Sequence, residues 1–167
     1  LPIYEIDYGF DMADISDLSG AVNLRALLNV APVNTTSSFP GAPVNHTNQP
    51  KGHATFFGDY TLGNWSVDAQ WHYFSGGSNV QVYGPGQTFY AQDRYGSFST
   101  MDFTLTRKID LGGGLDTSAY INVQNAFDSV PPYTVGSSGN PGSIFGGIPQ
   151  GEDVMGRYFT IGIRGNL

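Results

Sequence analysis

Three histidines are the side chains in this sequence that first suggest a metal site. His53 and His72 lie on neighbouring predicted strands, whereas His46 lies in a loop. Zinc sites group His, Cys and carboxylate ligands closely, and the chain has no cysteine and no carboxylate at a suitable spacing from these histidines. We therefore predict no metal site and interpret the histidines as polar lining.

Aspartates are the second group with possible chemistry, because paired carboxylates can hydrolyse a bond by general acid–base catalysis. Asp68, Asp102 and Asp128 are the candidates, but their positions fit water-exposed residues of strands and loops better than a catalytic pair of carboxylates. The sequence contains no Ser-His-Asp arrangement and no phosphate-binding glycine loop. We predict no catalytic residues and no cofactor, so the chain is not expected to be an enzyme.

Composition narrows the class of protein. The 167 residues suit one domain, and the net charge of −7 argues against a nucleic-acid partner. Aromatic residues make up 14% of the chain and charged residues only 13%, against about 25% charged in a typical soluble domain. The many glycines and prolines favour turns over long helices. These features indicate a β-rich protein with a surface that faces something other than water.

Strict alternation of apolar and polar residues is the strongest pattern, and it is clearest in the last segment, GRYFTIGIRGNL. Phe159, Ile161 and Ile163 share one face of an extended strand, because successive side chains point to opposite faces. Similar segments occur near residues 3–12, 21–30, 53–60, 65–73, 97–109 and 118–124. The sequence thus predicts an all-β fold, an antiparallel meander of about seven strands. An alternating strand at the very end of the chain is typical of outer-membrane barrels.

The connections between these strands alternate in length, with long loops at 33–50, 75–95 and 128–153. Transmembrane barrels have this asymmetry, with short turns at one end and long loops at the other. The polar face then suits a water-filled lumen and the apolar face suits lipid. Candidate interfacial girdle residues are Trp65, Trp71, Tyr73, Tyr4, Tyr8 and Phe159. A soluble β-sandwich explains the alternation of each strand equally well, but not the asymmetry of the loops.

Residues on the predicted polar face and in the second long loop are the best candidates for contact with a ligand. Polar side chains recur at every second position of the strand near 65–73, and the loop at 75–95 is rich in Gly, Ser, Gln and Tyr. We predict ligand contacts from Asp68, Gln70, His72, Tyr83 and Tyr90.

Two segments resemble a known family, the TonB-dependent outer-membrane receptors. YINVQNAFDSVPPY at 120–133 resembles the penultimate strand of that family, which ends in an Asn-aliphatic-Phe-Asp tetrad followed by a proline-containing loop. GRYFTIGIRGNL resembles its closing strand, and the stretches 50–71 and 96–110 resemble earlier strands. The residues that carry the signature are Asn125, Phe127, Asp128, Gly156, Arg157 and Phe159.

The resemblance implies that residues 1–167 are the C-terminal portion of a transmembrane barrel of about 22 strands. It implies that the plug and the earlier strands lie outside this chain and are its partners, together with lipid and, through the plug, the TonB energy-coupling complex. The expected function is energy-coupled uptake of a nutrient, such as a siderophore or a saccharide, across the outer membrane of a Gram-negative bacterium. The alternatives are a soluble extracellular β-sandwich that binds carbohydrate, and a small outer-membrane barrel enzyme or adhesin.

Overall fold

A computed structural model describes residues 2–30, 35–36, 39–40, 45–46, 51–78, 94–110, 116–132 and 155–166 of the chain. Its strands, in chain order, are β1 (Ile3–Asp11), β2 (Ala21–Val30), β3 (Thr35–Thr36), β4 (Asn45–His46), β5 (Gly52–Leu62), β6 (Trp65–Phe74), β7 (Gly77–Ser78), β8 (Arg94–Tyr95), β9 (Phe98–Asp110), β10 (Asp116–Gln124) and β11 (Tyr158–Asn166). The helical structure found in these ranges is a single 3-10 turn, Met12–Asp14. No helix in the described ranges is long and apolar enough to cross a membrane.

Seven strands form one antiparallel sheet in the order β1-β2-β5-β6-β9-β10-β11. Each of them pairs with its neighbours along the chain, and the four remaining strands form two small ribbons, β3-β4 and β7-β8. The predicted seven-stranded meander is therefore confirmed. Strands β1 and β11 are the edges of the sheet, which does not close on itself.

The links between the seven strands alternate between the two ends of the sheet. Residues 12–20, 63–64 and 111–115 form the short links at one end, which we call the short-link end. Residues 31–51, 75–97 and 125–157 connect strands at the other, long-link end. Strand β1 stops one residue before its predicted limit, because Met12 begins the 3-10 turn, in which its carbonyl accepts from the backbone N–H groups of Ile15 and Ser16.

The register places most apolar residues of the seven strands on one face, which we call the apolar face; the exceptions on the other face include Phe57, Phe74 and Phe98. One row of directly paired residues crosses it completely: Tyr8, Leu24, Gly58, Ala69, Phe103, Val123 and Phe159. The adjacent row on the opposite, polar face is Gly9, Asn23, Asp59, Asp68, Thr104, Asn122 and Thr160. Since a slip of one residue would exchange the faces of a strand, this register is what keeps the apolar row and the polar row separate.

Burial is reversed relative to a soluble domain, because the apolar face is the more exposed of the two. Leu24 is 46% exposed, Trp71 39% and Ile161 77%, whereas Thr55 on the polar face is 8% exposed. The buried apolar residues of the described ranges are Ala54, Tyr95 and Phe98. The polar face is therefore the more enclosed of the two, and the described ranges contain no conventional hydrophobic core.

Candidate functional site

The predicted ligand residues of β6 lie together on the polar face. Asp68, Gln70 and His72 occupy alternate positions of that strand, so their side chains point the same way. Asp68 is paired directly with Asp59 on one side and with Thr104 on the other. Two carboxylates opposite each other on neighbouring strands repel, so this position suits a face in contact with water. Tyr83 and Tyr90 lie outside the described residues.

His72 is the centre of a polar contact that crosses three strands. Its Nδ1 atom is 3.3 Å from the Thr55 hydroxyl on β5. Its Nε2 atom is 3.9 Å from a carboxylate oxygen of Asp102 on β9, and both side chains are about a quarter exposed, at 26% and 24%. The sequence suggested each residue separately but not the contact, since only the pairing of β6 with β9 brings them together.

His53 lies next to this contact, at the long-link end of the polar face. Its ring is stacked on Phe74, with centroids 4.3 Å apart, and its centroid is 6.4 Å from that of His72. The Nε2 atom of His53 is buried and has no hydrogen-bond partner, like the side-chain oxygen of Asn29 on the adjacent strand. No group of three or more His, Asp or Glu side chains with the geometry to hold a metal ion occurs in the described part of the chain.

Asn125 forms the turn that ends β10 and is 2% exposed, the most buried polar residue among those described. Its φ angle is 47°, a left-handed conformation that Asn tolerates better than most residues. Its backbone N–H donates to Asp102 at 2.8 Å. Its side chain donates to the Ser129 carbonyl and accepts from the Ser129 N–H, both at 2.8 Å. Asp102 thus contacts His72 with one oxygen and holds this turn with the other.

The two signature segments meet at Asp128, which also has a positive φ of 55°. Its carboxylate accepts a hydrogen bond from the backbone N–H of Arg157 at 3.0 Å. The Arg157 guanidinium donates back to the Ala126 carbonyl at 3.3 Å. Gly156 has a φ of 72°, which allows the chain to enter β11 from this contact. We call the group Asn125, Asp128, Gly156 and Arg157 the clasp. It fixes both ends of the long link between β10 and β11.

Aromatic residues on the apolar face form the remaining candidate surface. Trp71 is stacked on Phe56 at 5.2 Å and lies 6.0 Å from Tyr73, all near the long-link end. Trp65 lies at the short-link end, where the Arg107 guanidinium is 5.0 Å from its ring centroid. Phe159, in the apolar row, is 66% exposed, and Phe127, in the turn after β10, is 70% exposed. Sequence reasoning identified the tryptophans but missed Arg107. This residue lies on the apolar face because it follows Phe103 by four residues along β9.

Comparison with known proteins adds no relative. No family model matches this chain, and no curated protein or solved structure matches it either.

Proposed function

We propose that this chain is the C-terminal part of the barrel of a TonB-dependent outer-membrane receptor, which imports a nutrient such as a siderophore or a saccharide. The observation that carries the proposal is the continuous apolar face, which spans seven strands and is more exposed than the polar face. In water, apolar surface costs about 25 cal/mol per Å². A bilayer removes that cost, and lipid-facing strands with a polar interior are typical of outer-membrane barrels.

The dimensions of β6 support a membrane-spanning role. From Trp65 to Tyr73 the strand extends about 26 Å at about 3.3 Å per residue, or about 20 Å along the membrane normal at a tilt of about 40°. Aromatic residues at both ends of this stretch suit the two interfaces, and Val67 and Ala69 between them suit hydrocarbon.

The soluble alternative requires a second layer over the apolar face. A β-sandwich covers one sheet with another, about 10 Å away. The only other sheets in the described ranges are two ribbons of two-residue strands, β3-β4 and β7-β8. These are too small to cover a seven-stranded face, so the observations favour lipid as its neighbour over a carbohydrate-binding sandwich.

In the proposed receptor, the edges β1 and β11 pair with strands from the rest of the barrel. An unpaired strand edge in lipid would leave backbone N–H and C=O groups without partners, which is costly. The polar face lines the lumen, where Asp68, Gln70 and His72 meet the nutrient or the plug. Energy reaches the receptor from the inner membrane through the plug, and this chain contributes wall, lumen lining and loops without a catalytic step.

Tryptophan fluorescence tests the proposal directly, because the chain has two tryptophans and both lie on the apolar face. We expect phospholipids brominated in their acyl chains to quench Trp65 and Trp71 after reconstitution. The single variants W65F and W71F separate the two signals from each other and from any partner polypeptide. The proposal would be contradicted if the chain stays soluble and monomeric without detergent and if brominated vesicles do not quench its tryptophan fluorescence.

A further inference from the structure

One charged side chain lies on the apolar face of the seven strands, and it is Arg107. Its neighbours along β9 on that face are Leu105 and Ile109, and its cross-strand partners are Trp65 and Ala119. The chain as a whole carries twice as many acidic as basic residues, 14 against 7. A lone cation among apolar side chains therefore does not follow from the overall charge and calls for a specific partner.

The contact with Trp65 leaves the guanidinium able to bind an anion. The central guanidinium carbon of Arg107 lies over the Trp65 ring, 5.0 Å from the ring centroid. Arg107 has no carboxylate partner among the described residues, unlike Arg25, which is paired with Glu5. The aromatic ring is not a hydrogen-bond acceptor of the carboxylate or phosphate kind, so the guanidinium, with five N–H donors, can still offer two parallel hydrogen bonds to an anion.

The position of this pair along the strands matches a membrane interface. Trp65 is the first residue of β6, and the backbone N–H of Lys108, next to Arg107, donates to the carbonyl of Asn64 in the short link. A lipid-facing arginine is costly at the bilayer midplane and nearly free of cost at the interface, where tryptophan is also enriched. The abundant anionic acceptor at that depth is the phosphate of a lipid headgroup.

We propose that Trp65 and Arg107 bind the phosphate of a phospholipid headgroup in the leaflet next to the short links. The proposal rests on the proposed function, since it requires the apolar face to be in lipid. Arg107 donates its N–H groups to the phosphate oxygens, and Trp65 holds the guanidinium at the surface of the sheet.

The chain contains a matched control on its other face. The Arg164 guanidinium lies 4.7 Å from the Tyr120 ring centroid, so it makes the same kind of cation–π contact, but it lies on the polar face. The variants R107Q and R164Q each remove one arginine that contacts an aromatic ring. Only R107Q should change the binding of a lipid from the bilayer.

Native mass spectrometry of the purified assembly that contains this chain, titrated with dioleoyl phosphatidylglycerol, measures the site. We expect R107Q to weaken the tightest phospholipid binding about tenfold, as for loss of a charged hydrogen bond. R107K should retain part of the affinity, and R164Q should bind like the wild type. Dioleoylglycerol, which lacks the phosphate, should not distinguish the wild type from R107Q. Unchanged circular dichroism would show that R107Q still folds.

Equal phosphatidylglycerol binding by R107Q and the wild type would overturn the site. Saturation by inorganic phosphate alone at the same concentration would also overturn it, because the site would then bind a free anion. Quenching of Trp65 by brominated lipid together with unchanged phospholipid binding contradicts this site alone. Absence of quenching contradicts the proposed function and the lipid site with it.

Discussion

The carboxylate of Asp128 occupies the space in which a side chain at Gly156 would begin. A Cβ atom at Gly156 would lie 2.9 Å from the nearer Asp128 oxygen, and that oxygen already accepts the Arg157 N–H at 3.0 Å. Close approach and a positive φ together require glycine at this point of the clasp.

We expect Gly156→Ala to lower the free energy of unfolding by about 2–4 kcal/mol, from left-handed strain and displacement of the Asp128 carboxylate. Gly63 is the matched control, because its φ is 56° and nothing lies within 4 Å of an added Cβ. Gly63→Ala should show the strain alone, about 1–2 kcal/mol. Urea unfolding of the two variants in the same detergent checks the difference. Equal losses would mean that the contact with Asp128 contributes nothing.

The turn at Asn125 allows a conformational effect to be separated from a hydrogen-bond effect. Asn125→Ala loses two side-chain bonds to Ser129 and places alanine at a φ of 47°, so we expect a loss of about 2–4 kcal/mol. Asn125→Gly loses the same bonds without the strain and should cost about 1–2 kcal/mol less than Asn125→Ala. Urea unfolding curves measure both. If glycine is no better tolerated than alanine, the left-handed turn is not a source of strain.

Tyr120 and Gly162 should be strongly coupled, because the tyrosine ring lies across the glycine on the polar face. A Cβ at Gly162 would lie 2.5 Å from the Tyr120 Cζ atom, and the pair is in direct register. Gly162→Ala should therefore destabilise the wild type by about 1–3 kcal/mol and be nearly neutral in a Tyr120→Ala background. Unfolding of the four proteins of this double-mutant cycle gives the coupling, and additive effects would contradict the predicted contact.

Arginine substitutions on the two faces of the sheet should reduce stability in a membrane by different amounts. Ala69 lies in the middle of the apolar row and Thr104 one residue along β9 from its partner, on the polar face. We expect Ala69→Arg to reduce stability in vesicles by about 2–4 kcal/mol, as for a charge at the bilayer midplane. Thr104→Arg loses the hydrogen bond that the Asn122 side chain donates to the Thr104 hydroxyl, and it should cost only about 1 kcal/mol in the same vesicles. Equal costs in a refolding titration would indicate that the apolar face does not meet lipid.

Strand order and facing were predictable because they depend on local rules. Alternation at Phe159, Ile161 and Ile163 defines one face of β11 without any knowledge of its partner, and the short links dictate antiparallel neighbours. The contacts that depend on register were not predictable. His72 meets Asp102, and Trp65 meets Arg107, only because β6 and β9 are paired without a slip across a long link whose length does not fix the register.

The conformation of the turns was the second feature that could not be predicted from the sequence. The Asn-aliphatic-Phe-Asp tetrad suggested its position in a family strand, but its hydrogen bonds to Asp102, Ser129 and Arg157 required two residues with positive φ. A sequence pattern does not reveal which residues adopt that conformation, since Asn and Asp also occur in many turns with negative φ.

The clasp makes the link between β10 and β11 separable from the sheet. Its anchors, Asn125 and Asp128 at one side and Gly156 and Arg157 at the other, bring the two ends of the link together through bonds that use no residue from 133 to 154. Loop closure entropy rises only slowly with length, so insertions or exchanges between the anchors change stability little. Evolution or engineering can thus exchange residues between the anchors while the wall of the sheet stays the same.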